Sequence, residues 1–524
     1  MRDLHLPGRS AVYAQNGLCA TSHPLAAKVA VGVLKSGGNA ADAAIAGALV
    51  LGIAEPQMTG IGGDCFVLLK PAGSDQIIAL NGSGRAPTGL DAAAMRARGL
   101  TAVPVQGIEA VTLPGAIDAF CRLNADHGRL PLADVMVPAI RYADEGIPVA
   151  PRVAFDWADD LPRLKGIARD LYSFDGRAPT PGQIFRAPGQ AEVFRRIARQ
   201  GRAGFYEGEV AEDMIASLRA LGGGHTLDDL ATTTSDYTTP VSGPYRDIDL
   251  VEHPPNGQGA TAILLLNILK HFDISAMDPF GTQRAHIEAE ATKLAYDARN
   301  RFIADPDHTI RLDHMLSADT AARLAALIDP KRAMTAAAPL TEAVHKDTIY
   351  ITVVDRDRMA VSLIYSVFHG FGSGFASSKF GINFQNRGAG FTLTEGHPNE
   401  AAGGKRPMHT IIPGMLCKAG RVIMPFGVMG GAYQPCGHAR FVTNVTDFAM
   451  DPQVAIDAPR CFSGPDGLVV ERGYSDATRA ELAALGHKVS IPAAPLGGAQ
   501  AILIDGEVLI GASDPRKDGC ALGY

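Results

Sequence analysis

Thr348-Ile349-Tyr350-Ile351-Thr352-Val353-Val354-Asp355 is followed by Arg356-Asp357-Arg358 and then by Ala360-Val361-Ser362-Leu363-Ile364-Tyr365-Ser366-Val367. Both apolar runs are rich in β-branched and aromatic side chains, which fit a pleated surface, and the charged triplet between them reads as a turn. The spacing predicts a strand pair over 348–355 and 360–367. Downstream, 422–426, 499–504 and 508–511 read as further strands, with Asp505-Gly506 as a hairpin turn. Upstream the texture is different. Residues 24–35 (PLAAKVAVGVLK) carry apolar side chains at helical spacing and stop at Ser36-Gly37-Gly38. Asn39 opens a second, Ala-rich helix that runs to about residue 53 and is closed by Glu55-Pro56. Gly60-Ile61-Gly62-Gly63 then leads into a short buried strand over 65–69. A glycine-rich turn can cradle a phosphate, but the dinucleotide fingerprint runs from strand to helix, the reverse of the order here. The turn therefore reads as close backbone packing or a need for positive φ. Residues 108–345 read as mostly helical, broken at Pro131, Pro148, Pro151, Pro181 and the loop Glu252-His253-Pro254-Pro255-Asn256-Gly257-Gln258-Gly259. A helical first two-thirds before a strand-rich last third predicts sheets sandwiched by helices.

Composition narrows the function classes. The 524 residues carry a net charge of −7, which argues against a sequence-wide grip on nucleic acid or an anionic membrane. The longest apolar run, 43–54, falls short of the roughly 18 residues of a membrane span and reads as a buried core helix. The opening residues lack the continuous apolar region of a secretory signal, and the seven cysteines are scattered without CxxC pairing. Together these features predict reduced thiols and a cytoplasmic protein. There is no HExxH, no Cys/His zinc spacing and no Walker loop, so no metal and no cofactor is expected.

Several stretches, in order, resemble the gamma-glutamyltranspeptidase family. Residues 36–69 (SGGNAADAAIAGALVLGIAEPQMTGIGGDCFVLL) are similar to its opening helices and first core strand, and Asp347-Thr348-Ile349-Tyr350 resembles its processing-site strand. Phe371-Gly372-Ser373-Gly374, Lys405-Arg406-Pro407, Met429-Gly430-Gly431 and Gly511-Ala512-Ser513-Asp514-Pro515-Arg516 continue the resemblance to the ending Gly523-Tyr524. It implies an α+β fold, the αββα sandwich of the N-terminal-nucleophile hydrolases, made as one inactive chain that cuts itself. The implied cut between Asp347 and Thr348 leaves a mostly helical large subunit, 1–347, and a strand-rich small subunit, 348–524. These stay together as an αβ heterodimer or a pair of them. The chemistry is coherent: a Thr hydroxyl is a weak nucleophile that needs an adjacent base, and freeing its own α-amine, which titrates at about 7.7–8.0, supplies one. The resemblance places Ser366 as the hydroxyl beside the catalytic oxygen. It places Gly430 and Gly431 as the step whose backbone N–H groups receive the oxyanion.

The departures bear on the substrate. The family's Arg for the glutamyl α-carboxylate falls on Ser83, with Arg85 two residues later. Its Asn and Asp for the α-ammonium fall on Phe368 and Gly390, a nearby Gln falls on Arg387, and a Ser pair reads His409-Thr410. The acidic receptor for an ammonium is thus replaced, while Arg387 and His409 add potential anion donors beside Thr410 and Arg85. The expectation is a threonine amidohydrolase acting on a small carboxylate-bearing amide, oxamate-like or glutaryl-like. Hydrolysis of γ-glutamyl amides such as glutathione is the alternative. An uncleaved binding or scaffold protein is the competing class, opposed by the joint presence of Thr348, Ser366 and the Gly-Gly step.

Overall fold

The computed structural model describes residues 8–335 and 348–524. Helix Pro24–Lys35 starts with its Pro in the first turn, where the missing N–H is not needed, and His23 caps it by accepting from Leu25 N. Helix Ala40–Ala54 begins with a capping box: Asn39 accepts from the N–H groups of Ala41 and Asp42, and the Asp42 carboxylate accepts from Asn39 N. Every residue of this second helix is buried, as an unbroken apolar run demands.

Two seven-stranded sheets form the centre. In the first, the order is Cys520–Gly523, Gly17–Thr21, Ile349–Asp355, Ala360–Ser366, Asp64–Lys70, Ile78–Gly82 and Asp236–Thr238. In the second it is Val12–Ala14, Val508–Ser513, Gly498–Asp505, Arg421–Met429, Gly414–Lys418, Ile248–Glu252 and Val241–Tyr245. The expected strand pair is antiparallel, with Thr352 opposite Ser362, and Thr348 stands immediately before its first strand. Side chains alternate with a period of two, and both faces are buried. Ile349, Ile351 and Val353 pack in one core with the helices Pro24–Lys35 and Ala40–Ala54. Val354, with Leu18, Leu68, Met415 and Ile502, fills the space between the sheets. On the far side, Leu250, Leu416 and Met424 pack against Gly259–Leu269, Thr282–Phe302 and Gln434–Thr446. Helices, sheet, sheet, helices: the fold is the αββα sandwich.

Each sheet takes strands from both sides of residue 348, so the stretches before and after it are interleaved rather than separate units. The reading of 108–345 as mostly helical missed Asp236–Thr238, Val241–Tyr245 and Ile248–Glu252. The first two lie at sheet edges, where a short strand and the Gly243-Pro244 step are tolerated because one side of the backbone needs no ladder partner. The Gly60–Gly63 turn is close packing and not positive φ: a Cβ on Gly62 would sit 2.1 Å from Asn383 O, and one on Gly63 2.4 Å from Ser366 O. All seven cysteines are free. Among the described residues no helix is long and apolar enough to cross a membrane.

Candidate active site

Strand register builds the centre of the site. Ser366 lies opposite Asp64 on the neighbouring strand, and the two-residue period places Thr348, Ser366 and Asp64 on the face turned toward the second sheet. Thr348 Oγ1 donates to Ser366 Oγ at 3.3 Å, and Ser366 Oγ also accepts from Phe368 N at 2.9 Å. Phe368 sits at φ +83°, a conformation that side-chain-bearing residues rarely adopt. The guanidinium of Arg387 stacks over its ring at 4.1 Å and donates from Nη1 to Thr410 Oγ1 at 2.9 Å. Arg387 is fully buried. Three direct contacts thus connect the Thr348 hydroxyl to a buried cation.

His409 has a different chemistry from the expected anion donor. Its Nε2 is 3.0 Å from Asp64 Oδ2, while Asp64 Oδ1 accepts from Gly84 N, Gly115 N and Gln385 Nε2. Burial, reinforced by the Arg387 cation, pushes the His409 imidazole down to about 3. A neutral ring that donates from Nε2 to a carboxylate leaves Nδ1 with only a lone pair, and Nδ1 is buried with no hydrogen-bond partner among the described residues. His409 can accept a proton donor but offers nothing to an anion.

The Gly430-Gly431 step follows strand Arg421–Met429 and opens the turn into helix Gln434–Thr446. Both glycines have positive φ, +120° and +54°. A Cβ on Gly430 would approach Gly497 Cα to 3.0 Å, so the step requires glycine. Met429 packs with Tyr350, Ile364 and Phe66, which brings the step to the end of the sandwich where Thr348 lies. The step lies in the turn on the N-terminal side of the 13-residue helix Gln434–Thr446, the positive end of its dipole, the electrostatics an oxyanion needs.

Arg85 is not part of this group. Its side chain is 42% exposed and reaches Gly404 O at 3.0 Å and Asp305 Oδ2 at 3.5 Å, bracing the loop that carries Lys405-Arg406. Gly390 has no room for a side chain, since a Cβ there would meet Met408 O at 2.7 Å. Asp347 lies outside the described residues. A separate buried group, His286, Glu290 and His487, has ligand-type atoms, but they are already engaged. His286 Nδ1 and His487 Nε2 are 2.8 Å apart, closer than the roughly 3.3 Å between two ligands on tetrahedral zinc. Glu290 accepts from Lys293 Nζ and Met334 N.

The sequence profile described as Gamma-glutamyltranspeptidase matches residues 26–524. The chain belongs to the gamma-glutamyltranspeptidase family. It is 36% identical to the glutathione hydrolase-like YwrD proenzyme of Bacillus subtilis over 96% of this chain and 97% of that protein. It is 33% identical to the oxamate amidohydrolase proenzyme of Klebsiella pneumoniae subsp. pneumoniae, over 97% of this chain and 98% of that protein. The crystal structure of cephalosporin acylase from Bacillus halodurans superposes with a TM-score of 0.92 at 37% identity, covering 100% of this chain and 98% of that one. Membership in this family makes the protein an N-terminal-nucleophile amidohydrolase.

Sequence reasoning missed Asp64 and the loop Asn256-Gly257-Gln258. Asp64 enters only through its cross-strand register with Ser366, a non-local relation. The loop has a visible signal, its Pro-Pro-Asn-Gly-Gln-Gly composition, but that composition marks only a break in helical texture and carries no chemistry of its own. It lies against His409: Asn256 O accepts from His409 N at 2.8 Å and Gln258 N donates to His409 O at 3.0 Å.

Proposed function

We propose that the chain is the precursor of an N-terminal-threonine amidohydrolase whose acyl donor carries a carboxylate and no α-ammonium. The observation that carries this reading is the buried Arg387 guanidinium, braced by Phe368 and Thr410, three contacts from the Thr348 hydroxyl. A buried cation favours an anionic substrate group strongly, because water does not screen the pair. An α-ammonium in the same place would meet like charge and be desolvated without compensation.

Thr348 Oγ1 first attacks the carbonyl carbon of Asp347. The peptide C–N bond breaks, the Thr348 nitrogen leaves as a free amine, and water hydrolyses the resulting ester. Large (1–347) and small (348–524) subunits result, held as an αβ unit by strands interleaved in both sheets. In turnover the Thr348 amine takes the Oγ1 proton as the oxygen bonds to the substrate carbonyl carbon, with Ser366 Oγ fixing the direction of attack. Gly430 and Gly431 N–H groups receive the oxyanion. The substrate C–N bond breaks, and the leaving amine takes the proton back from Thr348. Water, deprotonated by the same amine, then releases the acid. Arg387 and Thr410 hold the carboxylate, and His409 accepts an N–H from the substrate.

Oxamate-type and glutaryl-type amides fit this description, and the similarity to an oxamate amidohydrolase supports the first. Seven free cysteines fit a reducing compartment such as the cytoplasm. The test is a screen of the processed protein with oxamate, glutaryl and γ-glutamyl amides. Turnover of the first two above the third supports the reading, and a γ-glutamyl preference overturns it in favour of glutathione hydrolase activity.

A further inference from the structure

Gln258 is fully buried between the two halves of the proposed site. Its Nε2 donates to Thr410 O at 2.6 Å and to Gly431 O at 3.0 Å, and its Oε1 accepts from Arg299 Nη1 at 2.8 Å. The chemistry permits only this orientation. A guanidinium can only donate and so must meet the amide oxygen, while two carbonyls can only accept and so must meet the amide nitrogen. Arg299 is in turn fixed by Asn300 Oδ1 and by its stack on the Tyr296 ring, whose hydroxyl donates to Ala432 O. One side chain therefore ties the Gly430-Gly431 step to the His409-Thr410 segment through both of its donor hydrogens.

We propose that Gln258 is a positioning residue that sets the separation between the oxyanion step and the Arg387–Thr410 carboxylate grip, and thereby the length of acyl chain the enzyme accepts. The inference rests on the reading that Arg387 and Thr410 hold a substrate carboxylate. Thr410 carries the hydroxyl that accepts from Arg387, so a shift of its backbone moves the grip. Gly431 contributes an N–H to the proposed oxyanion step, and its carbonyl is joined to that N–H through a single Cα, so a shift of the carbonyl displaces the donor. A side chain that spans both fixes their distance, and a displacement near 1 Å costs about 100-fold in rate even away from the reacting atoms.

The experiment compares kcat and KM of the processed wild type, Gln258→Met and Arg299→Met on oxalyl, succinyl, glutaryl and acetyl anilides. Wild type should favour one carboxylated length by tenfold or more. Gln258→Met keeps the length and flexibility of the side chain but has no donor. It should lose about 10- to 100-fold in kcat/KM on the favoured length, mostly in kcat, and its ranking of lengths should flatten to within a few-fold. Arg299→Met leaves Gln258 in place but unpins its amide, so the flattening should recur with a smaller loss, and Arg299→Lys should restore the ranking. Where Gln258→Met does not yield processed enzyme, the Arg299 pair decides. A uniform loss with the wild-type ranking intact, in either Met variant, overturns the positioning role. A wild type that turns over acetyl anilide as well as the carboxylated substrates overturns the underlying reading and this inference with it.

Discussion

Replacing Arg387 with Ala removes a guanidinium that is completely buried, stacked on Phe368 at 4.1 Å and anchored to Thr410 at 2.9 Å. A charge-assisted hydrogen bond to a substrate carboxylate contributes about 1.5–3 kcal/mol. At about 1.4 kcal/mol per tenfold, Arg387→Ala should lose about 10- to 100-fold in kcat/KM on glutaryl or oxalyl anilide. Arg387→Lys keeps the charge but gives up the planar fork and the stacking, so its loss should be intermediate. Arg387→Gln should not produce good γ-glutamyl turnover. The acidic ammonium receptor would still be missing, and position 390 cannot supply it because Met408 O lies 2.7 Å from where a Cβ would stand. The assay is steady-state release of the anilide from processed enzyme, on paired substrates with and without the α-amino group. Wild type turning over γ-glutamyl anilide faster than glutaryl anilide, or Arg387→Ala leaving both rates unchanged, would refute the reasoning.

Hydrolysis should dominate transfer, so adding glycylglycine should change the rate of anilide release little; several-fold stimulation would return the protein to transpeptidation. The rate should rise with pH as the Thr348 α-amine loses its proton, with an apparent pKa near 7.7–8.0. His409, held down to about 3, should add no second acid limb between pH 5 and 8, and a limb lost in His409→Gln would contradict its neutral state. Glu55 is buried against Ser22 and raised by burial to about 7. Because its folded pKa lies above the unfolded value, its favourable contribution is complete below about 4.5 and is lost as pH rises to about 7. Glu55→Gln should therefore shrink the fall in Tm between pH 5 and pH 8, and an unchanged fall would contradict the assignment.

The periodic elements were legible because their signals are local. Pro24–Lys35 runs between the expected ends, Asn39 caps the second helix, and the paired strands around Thr352 and Ser362 lie where β-branched spacing put them. The strands at 236–252 are three to five residues long, too short for a clear period of two, and Val241–Tyr245 is further disguised by its Ser-Gly-Pro. In the site, Thr348, Ser366, Arg387 and Thr410 come together in the structure, whereas Arg85 turns to two acceptors from distant segments, the Asp305 carboxylate and the Gly404 carbonyl. The chemistry of His409 was not legible at all. Whether an imidazole donates or accepts is set by what its other nitrogen meets, and Asp64 lies 345 residues away in sequence. Gln258 was hidden for the same reason, since its partners Thr410, Gly431 and Arg299 come from three different segments.

The proposed mechanism requires Thr348 to become the first residue of a chain. N-terminal sequencing of the smaller fragment of purified protein tests this most directly. The fragment should begin Thr-Ile-Tyr-Ile, and Thr348→Ala should remain a single inactive chain. A fragment that begins at another residue, or an uncut protein that turns over its amide substrate, would contradict the mechanism.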